Sequence, residues 1–198
     1  MVRLSKLNQS TETDVHTVRR LLVVEYPKYR THLKALDEDS KLLRFGYHVR
    51  DEVIDRLCDE VEADTLHHIL FCIENAHLDI VAVGHIATKG EMELAFSVFK
   101  ECRGQGMGNK LMKRCIQYCR THGMLKGCMV CLSSNAVIKH LCIKNDIKIY
   151  TEYGETLADI ELDHPDFKTY VEEATDSNLA VMDYMSKRFL PYRFTTSI

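Results

Sequence analysis

Residues 93–112 read Glu93-Leu-Ala-Phe-Ser-Val-Phe-Lys-Glu-Cys-Arg-Gly-Gln-Gly-Met-Gly-Asn-Lys-Leu-Met112, and the fold turns on this stretch. An extended apolar run passes through Arg103, Gly104, Gln105, Gly106, Met107 and Gly108 into a segment of period 3.6, so glycines gather where a strand hands over to a helix. Each glycine weakens a helix by about 1 kcal/mol relative to alanine, and such a cluster calls for a reason. An approaching phosphate supplies one. Without side chains, successive N–H groups can point at the anion, and the helix dipole adds about half a positive charge at the same place. Other phosphate loops do not fit. The Walker pattern requires Gly-Lys-Ser/Thr where Gly108, Asn109 and Lys110 stand, and the dinucleotide fingerprint requires a different glycine spacing within a parallel unit.

Working outward, Leu111, Met112, Cys115, Ile116 and Cys119 form one helical face and Lys110, Lys113, Arg114, Gln117 and Arg120 the other, with Gly123 as the stop. Before the loop, residues 68–74, 80–87 and 92–100 are short β-rich runs separated by turn residues, which predicts an antiparallel meander. After it come a strand over 129–132, a helix over 136–144, and a strand pair over 147–153 and 157–162 around Gly154. Near the start, Asp14 is placed to cap a helix with the stripe Val15, Val18, Leu21 and Leu22, ending before Pro27. A second helix is expected over 50–62. This order predicts an α/β fold with a mixed sheet and helices on its faces.

Beyond Pro165 a helix over 171–188 is expected to bury Val171, Ala174, Leu179, Met182, Met185 and Phe189, on the domain or, as the weaker alternative, in a homodimer. The chain thus divides into a domain over 1–163 and a C-terminal helical extension over 164–198.

The 198 residues suit one domain. A net charge of −3 without any basic stripe disfavours nucleic acid as a partner. No apolar run reaches the roughly 20 residues that span a bilayer, and the N-terminus lacks the apolar core of a signal peptide, so a cytoplasmic protein with no membrane partner is expected. The eight cysteines read as reduced core residues. Cys115, Cys119, Cys128 and Cys131 do not make a zinc site, because Cys128 and Cys131 sit three apart on a strand and face opposite sides; no metal is expected.

Arg-x-x-Gly-x-Gly at Arg103, Gly106 and Gly108 resembles the cofactor signature of the GNAT acyltransferase superfamily. The strand before it resembles that family's fourth strand, and Asn135, Ile138, Leu141 and Lys144 resemble its Asn-x-x-Ala-x-x-Leu-Tyr helix. The likeness covers about 3–162 in element order, with motif detail over 91–147. It implies a GNAT-like acyl-CoA N-acyltransferase fold and transfer of an acetyl group from acetyl-CoA to an amine-bearing acceptor. It further implies that residues 103–108 with Asn109 and Asn135 bind CoA, and that the backbone of Phe96, Ser97 and Val98 meets the pantetheine arm, with the Val98 N–H stabilising the oxyanion. The alternative is a binding module of the same fold without turnover. The family's tyrosine that can protonate the thiolate falls at Cys142, and its Gly-Phe pair is replaced by Asp146 and Ile147.

An amine of pKa near 10 is only about 0.1% neutral at pH 7, so attack on a thioester calls for a base or a site that favours deprotonation. Glu93, and next Glu91, on one face of their strand, are the candidate bases, and Cys142 or water the candidate acid. His85 and His140, each among apolar neighbours, read as hydrogen-bonded structural histidines, and the lysines over 139–148 as a solvated face.

Overall fold

The computed structural model describes residues 16–152 and 154–189. A seven-stranded sheet runs in the order β1-β2-β3-β4-β5-β7-β6, with β1 at Arg19–Arg20, β2 at His68–Glu74, β3 at Ile80–Ala87, β4 at Met92–Val98, β5 at Lys126–Leu132, β6 at Lys148–Glu152 and β7 at Glu155–Glu161. All neighbours are antiparallel except β4 and β5. Between these two lies the crossover helix α4, Met107–Thr121. The expected mixed α/β fold is the observed one.

Helices α1 (Tyr26–Ala35), α2 (Glu38–Phe45) and α3 (Asp51–Ala63) cover one face, where Tyr26, Tyr29, Leu33, Ile54, Cys58 and Val61 pack against Leu70, Cys72 and Val83. On the other face α4 and α5 (Ala136–Lys144) bury Leu111, Met112, Cys115, Leu141 and Cys142 against Phe71, Ile86, Leu94, Phe96 and Ile160. All eight cysteines are free, and six are buried.

The predicted first helix is overturned. Val18 to Leu22 form a short edge strand and its exit, and α1 begins at Tyr26 with Pro27 in its first turn. Proline costs nothing there, since the first N–H groups of a helix have no partner anyway, so Pro27 starts this helix and does not stop one. Asp14 and Val15 lie outside the described residues. Helix α2 was not anticipated; the Asp37 carboxylate caps it by accepting from the Ser40 N–H at 2.8 Å, and Gly46 closes it at φ 81°.

The C-terminal helix α6 spans Phe167–Phe189 and packs on α4 and β1. Its docking is largely polar: Arg114 reaches Glu173 and the Ser177 hydroxyl, the Arg19 guanidinium stacks over Tyr184, and Lys187 donates to the Glu74 carbonyl. Only Thr169 and Ala180 are buried, whereas Val171, Ala174, Leu179, Met182, Met185 and Phe189 remain exposed, contrary to expectation. The helix lies on the charged face of α4, so its polar side finds partners and its apolar side does not.

Gly127 controls how β5 meets β4. A Cβ there would collide with the Met92 carbonyl oxygen and side chain, so only glycine permits the Met92–Gly127 pairing. Gly127→Ala is expected to lower stability by about 1–3 kcal/mol, the usual range for overpacking. In urea this appears as a lower midpoint with an unchanged slope; an unaltered midpoint contradicts the close approach.

Candidate active site

The parallel pairing of β4 with β5 ends almost as soon as it begins. Met92 faces Gly127 and Glu93 faces Cys128, after which β5 stays with β7 as far as Leu132 and β4 stays with β3 as far as Val98. A wedge-shaped slot opens between the strands. The Phe99 N–H donates to the Val81 carbonyl at 3.0 Å, and hydrogen-bonded pairs alternate along an antiparallel ladder. Ser97 and Ala95 therefore spend their backbone groups on β3, while those of Leu94, Phe96 and Val98 face the slot.

At the wide end of the slot lies the loop before α4. Gly104 and Gly106 both adopt φ 78°, the left-handed region that favours glycine, and Gly108 is needed for a different reason: its Cβ would press on Leu141 at 3.1 Å. Two of these glycines serve the turn and one the packing of α4 on α5, demands that stand beside the anion expected from the sequence. The result still suits an anion, because the N–H groups from Gly104 to Asn109 donate to no carbonyl among the described residues.

A cavity of about 390 Å³ joins the loop to the slot. The loop and β4 provide Phe96, Ser97, Val98, Arg103, Gly104, Gly106, Met107, Gly108 and Asn109. Helix α5 adds Asn135, Ile138, Leu141 and Lys144, and α2 closes it with Ser40, Leu43 and Arg44. Among the described residues its wall carries Arg44, Arg103 and Lys144 but no carboxylate, which fits a polyanionic ligand with an apolar arm. The residues present thus match the demands of CoA.

Several lining residues also hold the cavity's shape. Arg103 turns back, donating from Nη2 to the Ser40 hydroxyl at 2.6 Å and from Nε to the Val98 carbonyl at 3.4 Å, which ties loop, α2 and β4 together. Asn135 caps α5, its side-chain oxygen accepting from the Ile138 N–H at 3.2 Å. Gln105 points away from the cavity and bonds His16 at 2.9 Å.

The expected acid and bases stand apart from this wall. Cys142 is fully buried in the core, and burial pushes its thiol up to about 11. Glu91 and Glu93 are exposed at the closed end of the slot; burial first, then the charges of Glu93, Glu91 and Asp159, raise the Cys128 thiol. His85 is buried, its Nε2 lying 2.9 Å from His68 Nδ1 and its Nδ1 3.5 Å from the Tyr29 hydroxyl. His140 and Lys144 depart from expectation by lining the cavity: His140 is exposed there, and Lys144 turns part of the supposed solvated face toward it.

Sequence reasoning missed α2 and its Ser40, Leu43 and Arg44, and it missed His32, which lies beneath Ser97. No long apolar stripe marks them. The available hints were the two ends of α2, Asp37 three residues before Ser40 as a cap and Gly46 as a stop.

A model of the Acetyltransferase (GNAT) family matches residues 30–141, from α1 into α5. No curated protein matches the chain. Among solved structures, the GNAT domain of S. lividans PAT is 17% identical with a TM-score of 0.60, over 73% of this chain and 89% of that one. The yncA protein of Salmonella typhimurium, solved with its cofactor acetyl-CoA, is 18% identical with a TM-score of 0.54, over 76% and 98%. The paia N-acetyltransferase of Thermoplasma acidophilum, solved with coenzyme A, is 12% identical with a TM-score of 0.54, over 73% and 97%. These identities speak to fold alone, but the family match spans more than half the sequence and includes both walls of the slot. The chain belongs to the GNAT acetyltransferase family.

Proposed function

We propose that the protein transfers an acetyl group from acetyl-CoA to a primary amine within the slot between β4 and β5. One observation carries the reading: one cavity, cationic and among the described residues free of carboxylates, joins amides before α4 that have no partner among those residues to the slot-facing edge of β4. When bound, acetyl-CoA supplies a thioester carbonyl open to attack by an amine.

The chain's own groups do the rest. The N–H groups from Gly104 to Asn109 and the start of α4 hold the pyrophosphate, with Arg44 and Lys144 adding positive charge. Phe96 and Val98 offer slot-facing backbone groups to the pantetheine amides. The Val98 N–H is fixed before the reaction begins, so it can stabilise charge developing on a carbonyl oxygen without reorganising. Glu93 stands where the strands part, on the same side of the sheet as Ser97, and with Glu91 it draws a cationic amine toward the slot. Val130, Tyr150 and Leu157 are exposed on that side and offer the acceptor an apolar bed. Cys142, sealed in the core, leaves protonation of the thiolate to a water or a group on the cavity wall. The domain of residues 1–163 carries this whole machinery, with 164–198 as an appended brace.

Titration with CoA tests the binding half. Asparagine tolerates the left-handed backbone that Gly106 adopts, so Gly106→Asn should bind within a few-fold of the natural protein, whereas Gly106→Asp, of the same shape but charged, should lose at least about tenfold. Equal affinities in calorimetry place the phosphates elsewhere.

Turnover is tested with acetyl-CoA and spermidine, an alanine-started peptide and a lysine peptide. If Glu93 only attracts the acceptor, Glu93→Gln should raise KM by at most about fivefold, the worth of one exposed charge, and leave kcat nearly unaltered. A fall in kcat of about 10²-fold or more at neutral pH that recovers at high pH makes Glu93 the general base instead.

A further inference from the structure

Beneath the cavity wall lies a hydroxyl–imidazole–carbonyl series that joins α1 to β3 and β4. His32, on α1, is 2% exposed; its Nδ1 lies 3.1 Å from the Ile80 carbonyl oxygen and its Nε2 2.9 Å from the Ser97 hydroxyl, while its ring stacks on Phe99 at 4.6 Å. A carbonyl oxygen can only accept, so Nδ1 carries the hydrogen and Nε2 of the neutral ring keeps a lone pair. The Ser97 O–H must then donate to Nε2. The oxygen of Ser97, which lines the cavity, is left with its own lone pairs unspent.

This is the order in which a base-activated hydroxyl is built: hydroxyl, base, and a third group that fixes the base's tautomer. Its place is informative too. Ser97 lies between Phe96 and Val98, whose backbone groups face the slot, and its side chain is on the α1 side, the side shared with Glu93. The hydroxyl that meets this buried histidine belongs to a residue of the cavity wall.

Resting on the acetyl-transfer reading, we propose that Ser97 is a catalytic residue that takes a proton from the attacking amine and hands its own to His32, which acts behind it as the positioning residue. The acceptor reacts as the neutral amine, its ammonium proton having gone to solvent; as the C–N bond forms and the C–S bond breaks, a further amine proton moves to Ser97 Oγ while the Ser97 hydrogen moves to His32 Nε2. The imidazolium then returns a proton by the same path to the departing thiolate, so that amide and free thiol leave and both side chains end as they began. No covalent intermediate on Ser97 is needed.

Burial holds His32 down at about 4 against the raising effect of the Ile80 carbonyl, and the Arg44 charge on α2 pushes the same way, so the ring is neutral before the amine arrives and holds the relayed proton only in passing. Arg44 is the charged group that bears on the ring; from β3 and β4 it meets a carbonyl, a hydroxyl and an aromatic face.

The test uses the full chain, acetyl-CoA and the same three amines. Ser97→Ala should lower kcat by about 10²-fold or more at neutral pH, the lower end of general-base assistance, with CoA affinity by calorimetry unaltered. The deficit should shrink as pH rises toward the pKa of the amine. Ser97→Thr, which keeps a hydroxyl, should recover most of the loss. His32→Gln, which keeps a donor for Ile80 and an acceptor for Ser97 but no base, should fold and show the same pH-dependent deficit. Independently of turnover, ¹⁵N NMR of the His32 ring at pH 7 should show Nδ1 protonated and Nε2 bare, with Nε2 shifting in Ser97→Ala.

An Nε2-protonated ring overturns the relay whatever the rates. So does a Ser97→Ala protein with the natural rate and pH profile, or an acetyl adduct found on Ser97. Transfer to none of the three amines by the natural protein would instead tell against the acetyl-transfer reading, and the ring spectrum still decides whether the relay's tautomer exists.

Discussion

The site depends on a hydrogen-bonding ladder that stops short. β4 and β5 pair through Met92 with Gly127 and Glu93 with Cys128, and then part. Parallel strands seldom leave backbone groups unpaired inside a sheet, because an unsatisfied buried N–H or C=O costs about 1–3 kcal/mol. Here each strand is secured on its far side, β4 by β3 and β5 by β7, so the parting is held open from both flanks. Gly127 allows the one close approach that joins the halves, and the slot begins directly after it.

Everything else is arranged around this opening. Helix α4 starts at the wide end, and its first N–H groups, unpartnered among the described residues, line the same cavity as the slot-facing edge of β4. Arg103 is the brace: it fastens the glycine loop to the Val98 carbonyl and to Ser40, and so brings α2 over the mouth. The sheet's two faces divide the labour. The α4 side packs Phe96, Cys115 and Leu141 into the core, with Phe96 and Leu141 also lining the cavity, whereas the α1 side carries polar pairs, His32 on Ser97 and His85 on Tyr29, of which Ser97 lines the cavity.

Legibility in the sequence followed the strength of local periodicity. The meander, α4, α5 and the closing strand pair were readable, because their alternation or 3.6-residue stripes outlast the turns that bound them. The N-terminal region was not. Val18, Leu21 and Leu22 have helical spacing, yet tertiary pairing with β2 draws Arg19 and Arg20 into the sheet, and a proline read as a stop serves as a start. Helix α2 is eight residues long, too short for its stripe to stand out. In the site, the glycine loop was legible as a backbone demand, while the role of Phe96 to Val98 came only from the family resemblance. His32 was not legible, since its meaning comes from a hydroxyl 65 positions away, whereas Cys142 reads from the sequence as a core residue and lies in the core.

The central claim is that the slot and the loop before α4 form one CoA site, and amide chemical shifts on titration with CoA test it most directly. The N–H signals of Gly104 to Asn109 and of Phe96 and Val98 should move together on a single binding curve, while those of α6 stay in place. Shifts confined to the larger groove of about 1270 Å³ between α4 and α6, where Lys113, Arg114 and Arg120 also gather positive charge, would contradict it.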